Sequence, residues 1–134
     1  MVPPGEMGGF VSETIRERLE PAIARCRGRI TIENVFDKHE RGMFQILLVT
    51  DPTPEIVAVV VTEVIEWTSG RRCIKLLLGG GYGSLWTVPP VMAKIEEMGA
   101  EIGCASVLVD GRKGWERILP DGYEFSHSVF EKEL

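Results

Sequence analysis

Residues Ile56–Trp67 read Ile-Val-Ala-Val-Val-Val-Thr-Glu-Val-Ile-Glu-Trp, an almost unbroken β-branched run. Val, Ile and Thr fit a pleated, half-buried surface, so the run predicts one long strand. Thr68-Ser69-Gly70-Arg71 reads as a hairpin loop, after which Arg72–Leu78 returns antiparallel. Upstream, Phe44–Thr50 is apolar and strand-like. Asp51-Pro52-Thr53-Pro54 is a turn, since neither proline can serve a central ladder. A three-stranded meander is therefore the framework around which the rest of the chain must fold.

The third strand then breaks into Gly79-Gly80-Gly81-Tyr82-Gly83-Ser84, four glycines within five residues. A glycine-rich turn between strand and helix lets main-chain N–H groups approach a ligand and sets an anion near a positive helix end. The competing reading is a tight turn or bulge with no ligand. Pro89 and Pro90 favour a helix start. Val91, Ile95, Met98 and Ile102 mark one helical face ending near Gly103. Ser106–Val109 is a short strand, which makes a strand–helix–strand crossover. Before the meander, Ser12 reads as an N-cap with Glu13 in the first turn, and Ile15, Leu19, Ala22 and Ile23 recur at helical spacing. Pro21 should kink this helix or start a second one. Thr31 reads as the next N-cap and Gly42 as the stop. After Asp110-Gly111, a turn, Lys113–Leu119 reads as a short helix and Tyr123–Leu134 as a strand pair or one bent strand. The expectation is a mixed α/β domain. Its central, mostly antiparallel sheet carries helices on both faces.

The chain has 134 residues, enough for one core. Residues 1–10, with three glycines and two prolines, read as a mobile leader, and 11–134 as a single domain. Net charge is −5 with no basic block, which argues against a nucleic-acid partner. No apolar stretch of about twenty residues argues for a membrane span. Cys26, Cys73 and Cys104 are too scattered for a disulfide framework or a zinc knuckle. A reducing, cytoplasmic interior is the natural compartment, and no metal is expected.

The element order, with a glycine turn after the last meander strand, resembles the GNAT acyltransferase superfamily from about Phe44 to Leu134. Gly79–Ser84, the helix ending at Gly103-Cys104, strand Ser106–Val109 and the Gly122-Tyr123 close carry the likeness. Gly111, Arg112, Gly114 and Trp115 are similar to a Gly-Arg-x-Gly-Trp segment in small GNAT-like proteins of tailed phages and prophages. The resemblance implies that Gly79, Gly80, Gly81, Gly83 and Ser84 hold the pyrophosphate of acetyl-coenzyme A. Two positions depart from the pattern. Leu78 stands where the family loop carries Arg or Gln. Ile118 stands where many members place a general-acid Tyr.

For proton handling, Glu63 shares a strand face with Val57, Val59, Val61 and Ile65. A carboxylate set among β-branched residues suits a general base. Its alternative role is an ion pair with Arg72 or Lys75 across the hairpin. Tyr82 is the remaining source of a phenolic proton. Trp115 reads as core, and His39 in Asp37-Lys38-His39-Glu40 as solvated. Arg71, Arg72, Arg112, Lys113 and Arg117 are basic residues around the loop, read as surface charge. The resulting expectation is transfer of an acetyl group from acetyl-coenzyme A to an amine by direct attack. The alternative is a catalytically silent phage or prophage protein acting in virion assembly or on a host protein. Leu78 and Ile118 favour that alternative.

Overall fold

The β-branched run forms the longest strand of the computed structural model, which describes residues 2–3, 5, 8–53, 55–81, 87–110, 115 and 117–134. The elements are α1 (Gly9–Ala24), α2 (Ile32–Glu40), β1 (Phe44–Thr50), β2 (Ile56–Glu66), β3 (Arg72–Gly81), α3 (Val88–Glu101) and β4 (Ser106–Val109). The strands lie in the order β1-β2-β3-β4, antiparallel except for the parallel β3–β4 pair. The mixed sheet with helices on both faces is thus as expected.

Alternation along the strands divides the core in two. Phe44, Ile46, Val59, Val61 and Leu78 pack against Ile15 and Leu19 of α1 and Val35 of α2. Leu47, Val60, Ile74 and Leu76 pack on the other face against Met92 and Ile95 of α3. Burying aliphatic side chains of this size contributes roughly 1.5–3 kcal/mol each, and both layers depend on β2 and β3 lying between them.

Thr31 caps α2 as expected: its hydroxyl accepts from the Asn34 N–H (3.1 Å), and its own N–H donates to Asn34 Oδ1 (3.0 Å). The start of α1 is corrected by one turn. Gly8 in extended backbone precedes the helix, and the Ser12 hydroxyl donates inward to the Gly9 carbonyl. The helix runs through Pro21 to Ala24 rather than restarting there. His39 is not solvated but 1% exposed, with Nε2 2.7 Å from the Val2 carbonyl. It lies four residues after buried Val35, on the same helical face. Val2 in turn donates its N–H to the Ile46 carbonyl (2.9 Å), bridging to β1. Part of the N-terminal leader is therefore docked, and Gly9 and Phe10 belong to α1.

The expected strands in Tyr123–Leu134 do not form; the segment is irregular. Its apolar residues Phe125, Val129, Phe130 and Leu134 lie on both parities, so no strand face could be buried at once, and all four are exposed. Side chains hold the segment instead. Tyr123 donates its hydroxyl to Glu96 Oε2 on α3 (3.0 Å), and burial first, then this bond to a carboxylate, push the phenol upward in pKa. Glu131 bonds to Arg29.

Candidate functional site

Register sets the site. Val61 pairs with Leu78 and Thr62 with Leu76, so Leu77 is an extra residue on β3. A bulge bends its strand and re-aims the backbone. On its other edge, β3 pairs with β4 only from Cys73 to Leu76. The last link is the Asp110 N–H to the Leu76 carbonyl, 3.3 Å. Beyond it β3 continues to Gly81 without pairing to β4. Alternate residues of an antiparallel strand direct their main-chain groups away from the paired neighbour. The Leu77–Gly81 edge therefore presents backbone polar groups to the gap.

That gap is a cleft of about 670 Å³. Leu76–Gly81 form one wall, and Val109, Asp110, Trp115 and Ile118 the other. Thr87, Val88 and Val91 at the start of α3 line it on one face of the sheet. Arg25, Cys26, Arg29 and Ile30, after the end of α1, line it on the opposite face. The cleft thus has an α3 side and an α1 side.

The glycine cluster begins differently from expectation. Gly79, Gly80 and Gly81 are not a turn but the end of β3, opposite Val60, Val59 and Ala58. A Cβ on Gly80 would lie 2.1 Å from the Arg18 carbonyl oxygen, so α1 crosses the strand at backbone contact. Gly81 combines φ 139° with a Val57 carbonyl 2.2 Å from any Cβ. Gly79 faces open space. Only Gly79 is thus left without a packing reason. Tyr82, Gly83, Ser84 and Trp86 lie outside the described residues.

Glu63 is half-buried on the α1–α2 face of β2, between its partners Phe44 and Lys75. It does not line the cleft. Neither expected cation pairs with it: Lys75 Nζ reaches Asp110 Oδ2 (3.2 Å), and Arg72 donates to the Ile102 carbonyl (2.9 Å). Leu78 is buried in the core, and Ile118 lines the cleft with no proton to give. Trp115, expected in the core, is half-buried along the cleft wall. His127 is exposed beside Ser126.

The sequence reading overlooked Asp110, Arg25 and Arg29, which line the cleft. Asp110 was taken as a turn residue, although it ends a strand beside the crossover, where open α/β sheets place their ligands. Arg25 and Arg29 follow the end of a helix, where cations suit the dipole without any ligand. Among the described residues, no group of His, Cys, Asp and Glu is arranged to hold a metal. No helix of the described residues is long and apolar enough to cross a membrane.

This arrangement of meander, crossover helix and parallel fourth strand superposes on solved acetyltransferases over most of the chain. The chain has a GNAT-type fold. It superposes on a Brucella melitensis ribosomal-protein-alanine N-acetyltransferase with TM-score 0.62 and 11% identity, covering 90% of this chain and 93% of that one. A Trypanosoma brucei acetyltransferase gives TM-score 0.54 and 14% identity over 77% and 78%. A Bacillus halodurans transcriptional regulator gives 0.64 and 14% over 96% and 97%. At such identities the likeness carries the GNAT fold alone. No family model and no curated protein matches the sequence.

Proposed function

We propose that this GNAT-fold chain transfers an acetyl group from acetyl-coenzyme A to an amine. The single observation that carries the reading is the parting of β3 from β4 after Leu76 and Val109, with a cleft lined by the unpaired Leu77–Gly81 edge. The residues present fit an extended thioester cofactor. The cleft carries apolar side chains from Leu76, Leu77, Val109 and Met92 and runs along the glycine end of β3. Bound there, the cofactor would supply an activated acetyl thioester. Gly79–Gly81, with Gly83 and Ser84 of the following loop, would hold its phosphates beside the α3 N-terminus. The main-chain donors of the Leu77–Gly81 edge would stabilise negative charge developing on a carbonyl oxygen. Asp110, which lines the cleft, would take the amine proton. Glu63 would act only through a bridging water, and Tyr82 is retained as the proton donor.

Calorimetry with acetyl-coenzyme A tests the reading directly. Binding at millimolar affinity or better, with a concentration-dependent rise in Tm, is the expected result. No heat and no thermal stabilisation at saturating cofactor would sink it.

A second reading keeps the fold without the chemistry. Two of the glycines have packing reasons of their own, Leu78 is core, and Ile118 replaces a proton donor. On that reading the protein is a silent scaffold, of the kind phages and prophages use in virion assembly or against a host protein. Its expected signature is co-purification with such a partner and no acetyl-coenzyme A binding.

A further inference from the structure

We infer that the arginines after α1 form a carboxylate subsite on the α1 side of the cleft, and that the chain's own C-terminal segment now occupies it. The inference rests on the acetyl-transfer reading for its meaning, and it assigns the acceptor's class: an amine that carries an acidic group, such as an acidic peptide or amino acid.

The argument starts from an anion already seated. Glu131 Oε2 accepts from Arg29 Nη2 at 2.7 Å and from Nε at 3.3 Å, while its Oε1 lies 3.5 Å from Arg27 Nη1. Two donors of one guanidinium converge on one carboxylate oxygen, and such charge-assisted bonds are stronger than neutral ones. Glu133 adds a longer contact to Arg27, 3.8 Å. The Arg29–Glu131 hydrogen bond holds the carboxyl below its ordinary pKa and the guanidinium above its own.

Place in the fold gives the pair its significance. Arg29 and Arg25 both line the cleft, on the face opposite α3. The Arg25 N–H closes the last turn of α1 on the Pro21 carbonyl, while its side chain has no hydrogen bond or ion pair among the described residues. Asp110, the remaining acid in the lining, is already met by Lys75. Apart from the tail carboxylates, the charged groups of the lining are Arg25 and Arg29 against Asp110 alone, in a chain whose net charge is −5. The tail that supplies those carboxylates has few apolar anchors: Phe125, Val129 and Phe130 are exposed. A segment tethered by exposed ion pairs, each worth little, can be displaced by a competing carboxylate. An acidic acceptor would leave its carboxylate on Arg25 and Arg29 and direct its amine inward, toward Asp110 and the Leu77 edge.

The test uses the full-length chain, without cofactor and at low salt, titrated with the tripeptide Glu-Glu-Glu and followed by nitrogen-15 NMR. Glu131→Gln with Glu133→Gln should bind the peptide about fivefold more tightly than the unaltered protein, the gain expected on removing a competing surface pair. Adding Arg25→Ala, a change at an exposed side chain outside the tail contact, should abolish that binding. Equal affinity in the unaltered and Gln variants, no binding by either, or binding that survives Arg25→Ala overturns the subsite. The tripeptide Gly-Gly-Gly should shift nothing; an equal response to it also overturns the proposal. Because no cofactor is present, failure here leaves the acetyl-coenzyme A titration untouched, and the converse holds as well.

Discussion

The two halves of β3 share one strand and one partner in β2, yet they live differently. Arg72–Leu76 has a strand on either side and buries Cys73, Ile74 and Leu76. Leu77–Gly81 keeps β2 but loses β4, and there the chain spends glycines where the first half spends aliphatics. The first half is a core strand whose value is burial. The second is a wall whose value is an uncovered edge, and it tolerates that edge because α1 clamps it from above at Gly80. A cleft through a sheet thus needs a rigid half to anchor the strand and a thin half to open.

The largest effect should come from the rigid half. Ile74 is fully buried against α3, with its Cγ2 directly under Gly99. Ile74→Ala should cost about 3–4 kcal/mol, within the usual span for deleting a buried aliphatic. Urea denaturation would show a lower midpoint at unchanged slope. A loss below about 1 kcal/mol would mean the first half does not carry the strand.

Next is the clamp. Gly80→Ala sets a methyl group against the Arg18 carbonyl, backbone against backbone, so α1 must move. Overpacking of that kind costs roughly 1–3 kcal/mol. Gly79→Ala, one residue earlier, meets nothing within 4 Å. Its stability should stay within about 0.5 kcal/mol of the parent, while acetyl-coenzyme A affinity falls about tenfold, a 1.4 kcal/mol change. Comparing the two in one thermal-shift series separates a structural glycine from a ligand-facing one. If both only destabilise, the second half of β3 is packing throughout, and the silent reading gains.

The same contrast explains what could be read in advance. The meander and β4 were legible because each strand carries its own signal in β-branched runs and turn residues, and β1 and β4 were bounded to the residue. The Gly79–Gly81 extension was not, because three glycines carry no strand propensity; their pairing is imposed by β2 across the sheet. His39 was misread from its charged neighbours, although its spacing from Val35 placed it on the buried face. The cleft itself was only half legible. A glycine cluster can announce a close backbone approach, but not whether a ligand or α1 makes it. Arg29 and Glu131 are separated by 102 residues, and no local pattern links them.

The smallest effect concerns what backs the thin half. β2 enters the sheet at Ile56, and Ala58 and Val59 are the partners of Gly81 and Gly80. Just upstream, Asp51 accepts from the Thr53 N–H (2.9 Å), the Glu55 N–H (2.8 Å) and the Thr53 hydroxyl, closing the β1–β2 turn. These bonds, the Thr53 hydroxyl first, hold its carboxyl below the ordinary 3.8. A folded pKa below the unfolded one means that the unfolded chain binds the proton more readily. The turn's contribution is therefore complete above about pH 4 to 5 and is lost as pH falls through the folded value. Asp51→Asn should remove this dependence, so the Tm difference between parent and variant should shrink from pH 6 to pH 3. The carboxylate lies at the surface in a turn, so the shift should be small beside Ile74→Ala and Gly80→Ala. A constant difference across that range would show that the turn backs β2 without its charge, and that the splayed half of β3 depends on α1 alone.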